Sequence, residues 1–241
     1  MIISAQQRQK EFERNIQGES FLSKKMKCEY QSHKAVDSSS FYSLNDCALM
    51  LNGENLSLAG KPTEEDMESI LSFCEFLGVH YLETELDNLH MSKRPLLLMR
   101  YDGGKCESCP DIITNENIYG FSDFCCKNFD DAPFNTIYPY IARKVNKGIS
   151  DIYYLTEGRK IVSGAVATRY GISETYVTFV STDPEHRHKG LAAKVVRHVI
   201  SQNPGRRVIL MCEEKMRNFY TKLGFVEMDN IWLYTLREES F

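Results

Sequence analysis

Apolar and polar positions follow three patterns in the first ninety residues. Residues 41–58 alternate around Asn52-Gly53, a two-residue turn signal, and predict a β-hairpin. Lys61-Pro62-Thr63 opens a helix: Thr63 can cap it, Glu64, Glu65 and Asp66 suit its positive end, and Gly78 stops it. Met67, Ile70, Leu71, Cys74 and Leu77 recur at helical spacing and give it a buried stripe. Residues 79–82 predict a short strand, and the polar, charged residues 1–18 predict a surface helix.

A second run of elements starts at Pro95. The apolar run Leu96-Leu97-Leu98-Met99 ends at Asp102-Gly103-Gly104, and two helices follow near 118–129 and 134–145. A hairpin comes next, 151–156 and 160–170 around Glu157-Gly158-Arg159, and a third strand at 175–181. A helix over about 189–202 ends at Asn203-Pro204-Gly205. Residues 207–212 predict a strand, 213–223 a helix closed by Gly224, and 225–236 the last strands. The order β-α-α-β-β-β-α-β-α-β-β predicts an α+β fold around a mixed sheet. Residues 1–92 form a small N-terminal α/β subdomain and 93–241 a second domain.

Composition narrows the partners. The net charge of −4 and the absence of a long basic run predict no nucleic-acid partner. No stretch approaches the roughly 18–20 apolar residues that span a bilayer, and the first residues lack the apolar centre of a signal peptide. No membrane association and a cytoplasmic location are therefore expected. Eight cysteines read as free thiols. Cys106-x-x-Cys109 is followed by the adjacent Cys125-Cys126 rather than by a second spaced pair, so no metal is expected.

Chemistry concentrates between the third strand and its helix, in Val180-Ser181-Thr182-Asp183-Pro184-Glu185-His186-Arg187-His188-Lys189-Gly190-Leu191-Ala192. Asp183-Pro184 breaks the strand, and Arg187-x-x-Gly190-x-Ala192 leads into an amphipathic helix with Leu191, Val195 and Val199 on one face. Gly190 and Ala192 let a ligand approach the backbone. The unpartnered amides of a helix start form an anion site, to which Arg187, His188 and Lys189 add cationic donors. His186 and His188 suit phosphate contact or solvation, and His198 the surface. The pattern lacks both Gly-x-Gly-x-x-Gly and Gly-Lys-Ser/Thr, which excludes the common dinucleotide and triphosphate loops.

In this context the segment resembles the pyrophosphate loop of the GNAT superfamily of N-acetyltransferases. A second match, Asn218-Phe219-Tyr220-Thr221-Lys222-Leu223-Gly224-Phe225, resembles that family's Tyr-x-x-x-Gly-Phe. The resemblance covers about 95–236. The first ninety residues either fall outside it or are a decayed partial copy of the same unit. It implies a GNAT-like mixed, splayed sheet flanked by helices, with acetyl-CoA as co-substrate. The pyrophosphate would meet Arg187, His188, Lys189, Gly190, Leu191 and Ala192, and the pantetheine arm the backbone of Phe179, Val180 and Ser181, where strands 175–181 and 207–212 part.

The resemblance further implies that an amine of a small molecule or peptide attacks the thioester directly, with Tyr220 as general acid. Tyr176 stands where some members carry a carboxylate, which leaves Glu174, on the same face by two-residue alternation, or Glu213 as candidate base. Proximity alone would serve an amine that arrives neutral. A non-catalytic acyl-CoA-binding or sensing module is the alternative reading, and a protein-interaction role for the first 89 residues a third. Residues 118–145 and 226–236 are where the resemblance puts the acceptor walls, and their aromatics Phe121, Phe124, Tyr138, Tyr140, Trp232 and Tyr234 suit such walls and core packing equally.

Overall fold

The computed structural model describes residues 1–33, 40–129 and 133–237. In chain order these form β1 (Ile3–Ser4), α1 (Gln9–Asn15), α2 (Phe21–His33), β2 (Phe41–Leu44), β3 (Cys47–Asn52), β4 (Asn55–Ala59), α3 (Glu64–Leu77) and β5 (Tyr81–Thr84). There follow β6 (Lys93–Tyr101), β7 (Ile113–Thr114), α4 (Ile118–Asn128), α5 (Phe134–Asn146), β8 (Ser150–Glu157), β9 (Lys160–Tyr170) and β10 (Glu174–Thr182). The chain closes with α6 (Leu191–Ser201), β11 (Arg207–Glu213), α7 (Arg217–Lys222) and β12 (Phe225–Thr235). The fold is α+β, mixed sheet flanked by helices, as its order of elements predicts.

Two compact units emerge: residues Met1–Leu97 with Asp229–Phe241, and residues Leu98–Met228. The expected division at residue 92 therefore lies near the first boundary, but the chain's last residues return to the first unit. They return because the second half of β12 pairs antiparallel with β5, Trp232 opposite Thr84 through Thr235 opposite Tyr81.

In the first unit, β1 to β4 are successive antiparallel neighbours, and α3 carries the chain to β5, which runs parallel to β4. The turn at Gly53 (φ 58°) joins β3 to β4 as its sequence signals, and a second tight turn at Asn45 (φ 50°) adds β2. α3 has the expected ends. The Thr63 side chain accepts from the Asp66 amide, Asp66 accepts from the Thr63 amide, and Gly78 closes the helix at φ 70°. Ile70 and Cys74 meet Leu49, Leu56, Leu58 and Leu82 in the core.

The N-terminal segment differs from expectation. Only Gln9–Asn15 of residues 1–18 is helical; it lies at the surface with Gln9, Lys10 and Arg14 exposed, and Phe12 anchors it, fully buried with its ring 5.0 Å from Tyr30 and 5.5 Å from Phe41. Tyr30 lies on α2, an unanticipated helix that buries Leu22, Met26 and Tyr30 at four-residue spacing.

The second unit repeats this order. β7 is a short strand against β8, α4 and α5 precede β8, β8 to β10 are antiparallel, and α6 leads to β11 parallel to β10. Each parallel pair has four registered positions, Asn55–Leu58 against Tyr81–Thr84 and Glu174–Val177 against Arg207–Leu210. Phe121, Ile137, Ile141, Ile152 and Val166 form the core under α4 and α5. Gly164 is required there, since a Cβ would stand 2.5 Å from the Phe121 ring and 2.9 Å from the Tyr153 carbonyl. The helix expected at 213–223 is a short turn, Glu214–Met216, followed by α7.

Candidate active site

β10 carries the site. Its register with β11 ends at Val177 opposite Leu210, yet β10 continues to Thr182 and β11 to Glu213. Against β9 the register jumps between Thr178–Val166 and Ser181–Gly164, so Phe179 and Val180 face a single residue. Such a bulge bends a strand. Phe179 takes φ 51°, a left-handed conformation that costs a non-glycine residue on the order of 1–2 kcal/mol. The backbone of Phe179, Val180 and Ser181 thus lies where β10 turns away from its parallel neighbour.

The loop beyond β10 is built by short-range bonds. Asp183 accepts from the Glu185 amide at 3.1 Å and starts the turn Pro184–His186. Arg187 Nε donates to the Thr182 carbonyl at 3.2 Å, so this guanidinium ties the loop to the strand it leaves. His188 at φ 62° and Gly190 at φ 75° alternate left-handed positions into the first turn of α6, a geometry that turns successive amides toward one concavity. Gly190 caps α6 without a side-chain bond, so the Leu191 and Ala192 amides open the helix with no acceptor inside it. Nothing lies within 4 Å of where a Gly190 Cβ would stand. Lys189 is exposed.

The equivalent loop of the first unit is closed. Its helix α3 spends the Asp66 amide on the Thr63–Asp66 capping box and opens with Glu64, Glu65 and Asp66. Those three carboxylates repel a phosphate where α6 has no acid in its first turn.

Tyr220 is buried on α7, 4.9 Å from the Phe219 ring and 5.7 Å from Phe225. Burial pushes its phenol above the ordinary tyrosine value, with the neighbouring Cys212 adding to the shift. Cys212, near the end of β11, is pushed up to about 11, mainly by burial, and its Sγ lies 3.7 Å from Met99 Sδ. Both groups hold their protons at neutral pH: Tyr220 is a donor, and Cys212 is a poor nucleophile.

Glu174 lies elsewhere. It opens β10, five positions before Phe179 and so about 17 Å back along the strand. It is buried there against Arg207 at 3.3 Å, while Arg206 binds its carbonyl. The alternation that gave Glu174 a face says nothing about distance along the strand, and the parted end of β10 is out of its reach. Glu213 ends β11 and pairs with Lys215 at 2.6 Å. Tyr176 stacks on Tyr170 at 5.3 Å.

The other residues singled out divide between core and site. Phe121 and Phe124 are core. Tyr234 is fully buried and donates to the Leu86 carbonyl at 3.0 Å, and Trp232 lies under the Lys93 ammonium at 4.2 Å. Tyr138 stacks on Phe134 at 5.4 Å, leaving Tyr140 as the expected wall residue whose ring meets Phe179, at 6.0 Å. Phe129 approaches Phe179 from another side at 5.6 Å and was not anticipated, because it ends a helix and carries no periodic signal. His198 is buried rather than superficial: its Nδ1 accepts from the Cys109 amide at 3.0 Å and its ring meets Tyr153. His186 is buried as well, between Asp183 and Glu157, and so is neither solvated nor a phosphate ligand. Asp183, Glu185 and His186 bring metal-ligand atoms together, but the Lys160 ammonium, 2.9 Å from Asp183 and 3.5 Å from Glu185, already supplies their positive charge.

Residues 149–227, which include β10, the loop beyond it and Tyr220, match the family model described as an acetyltransferase (GNAT) domain. No curated protein matches the chain. Solved structures of similar fold include a GCN5-related N-acetyltransferase from Kribbella flavida (12% identity, TM-score 0.63, covering 92% of this chain and 98% of that one). Another is an acetyltransferase of the GNAT family from Colwellia psychrerythraea (11%, 0.58, 98% and 100%). A third is a GCN5-related N-acetyltransferase from Sphaerobacter thermophilus (11%, 0.60, 90% and 86%). At these identities the likeness establishes the fold.

Proposed function

We propose that this chain, whose residues 149–227 match the GNAT acetyltransferase domain model, moves an acetyl group from acetyl-CoA to an amine of a small molecule or peptide by direct attack. The observation that carries this reading is the junction on β10 of a strand that parts from its parallel neighbour with a loop whose helix start is open to an anion. The backbone of Arg187, His188, Lys189, Gly190, Leu191 and Ala192 would hold the pyrophosphate, and the parted edge at Phe179, Val180 and Ser181 the pantetheine arm.

In the reaction the amine nitrogen bonds to the thioester carbonyl carbon and the carbon–sulfur bond breaks. The amine sheds one proton to water, and the leaving thiolate takes one from Tyr220, which burial keeps protonated. Tyr220 then recovers its proton from solvent. With Glu174 at the far end of β10, no fixed carboxylate is assigned as base, and positioning of a neutral amine supplies that share of the rate. The protonated Cys212 thiol favours direct transfer over an acyl-cysteine intermediate. No helix among the described residues is long and apolar enough to cross a membrane.

The placement of Glu174 also favours one competing reading, a non-catalytic acyl-CoA-binding or sensing module. Turnover of acetyl-CoA with a panel of amines separates the two. Wild type is expected to release CoA with at least one amine, and Tyr220→Phe to lower kcat by about a hundredfold without changing the thermal melt. Tight binding of acetyl-CoA without turnover on any amine would favour the module.

A further inference from the structure

The loop that would hold the pyrophosphate is anchored by a buried histidine. Nε2 of His186 lies 2.7 Å from Glu157 Oε2, and Nδ1 lies 3.0 Å from Asp183 Oδ1. Glu157 ends β8, so this ring joins the tip of the β8–β9 hairpin to the turn from which Arg187 and His188 depart. Both ring nitrogens face carboxylates, which only accept, and a neutral imidazole carries a single N–H. The geometry is therefore that of an imidazolium. Losing its proton would set a nitrogen lone pair against a carboxylate oxygen and push one side of the bridge open.

We infer that His186 is a positioning residue for the pyrophosphate loop, clamping the first turn of that loop to the β8–β9 hairpin through an imidazolium held between two carboxylates. The inference rests on the acetyl-CoA reading. His186 itself spends both ring nitrogens on carboxylates and is not a phosphate ligand. It acts by fixing where the left-handed His188 and the amides before α6 stand.

The charges around His186 set the sign of its pH dependence. Glu157, Asp183 and Glu185 surround it from the hairpin and its own turn, and Lys160 from β9 binds Asp183 and Glu185. Lys189 opposes it from the loop. His186, Glu157 and Lys189 line a cleft of about 460 Å³, whose other charged lining residues are Asp111 and Lys194. The Glu157 hydrogen bond, then that of Asp183, holds the His186 proton above the ordinary histidine range. Glu157 is held below its own, and Asp183 at about 2. The clamp is thus whole below about pH 6.5 and lost as pH rises through the raised value of the folded protein.

The test is calorimetric titration of acetyl-CoA into wild type, His186→Gln and Glu157→Gln between about pH 6 and pH 9, beside thermal melts of each. The proton that the ligand's own phosphate loses near pH 6 moves all three proteins alike. Wild-type affinity is expected to fall about tenfold across the titration of His186. Both variants are expected to start about tenfold weaker and to show no such step. If His186→Gln melts early, Glu157→Gln, changed at the hairpin tip, decides. Wild-type affinity and pH profile retained by a folded variant would overturn the clamp and leave the acetyl-CoA reading intact. Silence of the wild type at every pH would overturn both.

Discussion

At the scale of single residues, what a side chain can do here depends on its position along a strand as much as on its face. Glu174 and Phe179 share β10, yet one is fixed in an ion pair and the other stands at the bulge. The loop, by contrast, could be read from sequence, because its requirements are local: a break at Asp183-Pro184, a glycine at the helix cap, and small residues after it. His186 could not, since its partner Glu157 is 29 positions away and only folding brings them together. Gly190 offers a direct check. Its φ of 75° strains any side chain, but the space before it is empty. Gly190→Ala is accordingly expected to cost about 1 kcal/mol in urea unfolding and to weaken acetyl-CoA binding by about tenfold, because its Cβ would stand where the pyrophosphate meets the backbone. Undiminished binding with the fold intact would show that the backbone there need not be bare.

At the scale of elements, turn and cap chemistry gave the sequence its clearest signals. Thr63 and Gly78 bound α3 as their residue types demand, and Thr63→Ala is expected to destabilise the protein by about 1 kcal/mol. Since that cap belongs to the closed loop of the first unit, acetyl-CoA affinity should be untouched. Calorimetric titration beside a denaturant melt reads both. Phe121→Ala, which empties the core above Gly164, is expected to cost about 3–5 kcal/mol by the same melt. Other elements were harder to read for physical reasons. α2 buries Leu22, Met26 and Tyr30, but Lys24, Lys25 and Lys27 interleave with them and dilute the stripe. β12 reads as more than one strand because residues 226–229 in its first half are exposed and alternate apolar with charged, although the strand is continuous.

At the scale of the whole molecule, the chain contains one element order twice. Each unit has a short edge strand, two helices, three antiparallel strands, a helix and a strand parallel to the third. The sequence hinted at a partial copy, but the hint was faint because the two copies differ where chemistry would show. One helix starts with three acids and its own cap, the other with a bare glycine and no acid. The account therefore assigns the cofactor to a single loop.

Calorimetric titration of acetyl-CoA into wild type and Gly190→Glu tests that assignment most directly. The account predicts one site per chain in wild type and none in the variant, where a carboxylate stands in the phosphate's place. A second site, undiminished binding by Gly190→Glu, or no wild-type binding at sub-millimolar acetyl-CoA would contradict it.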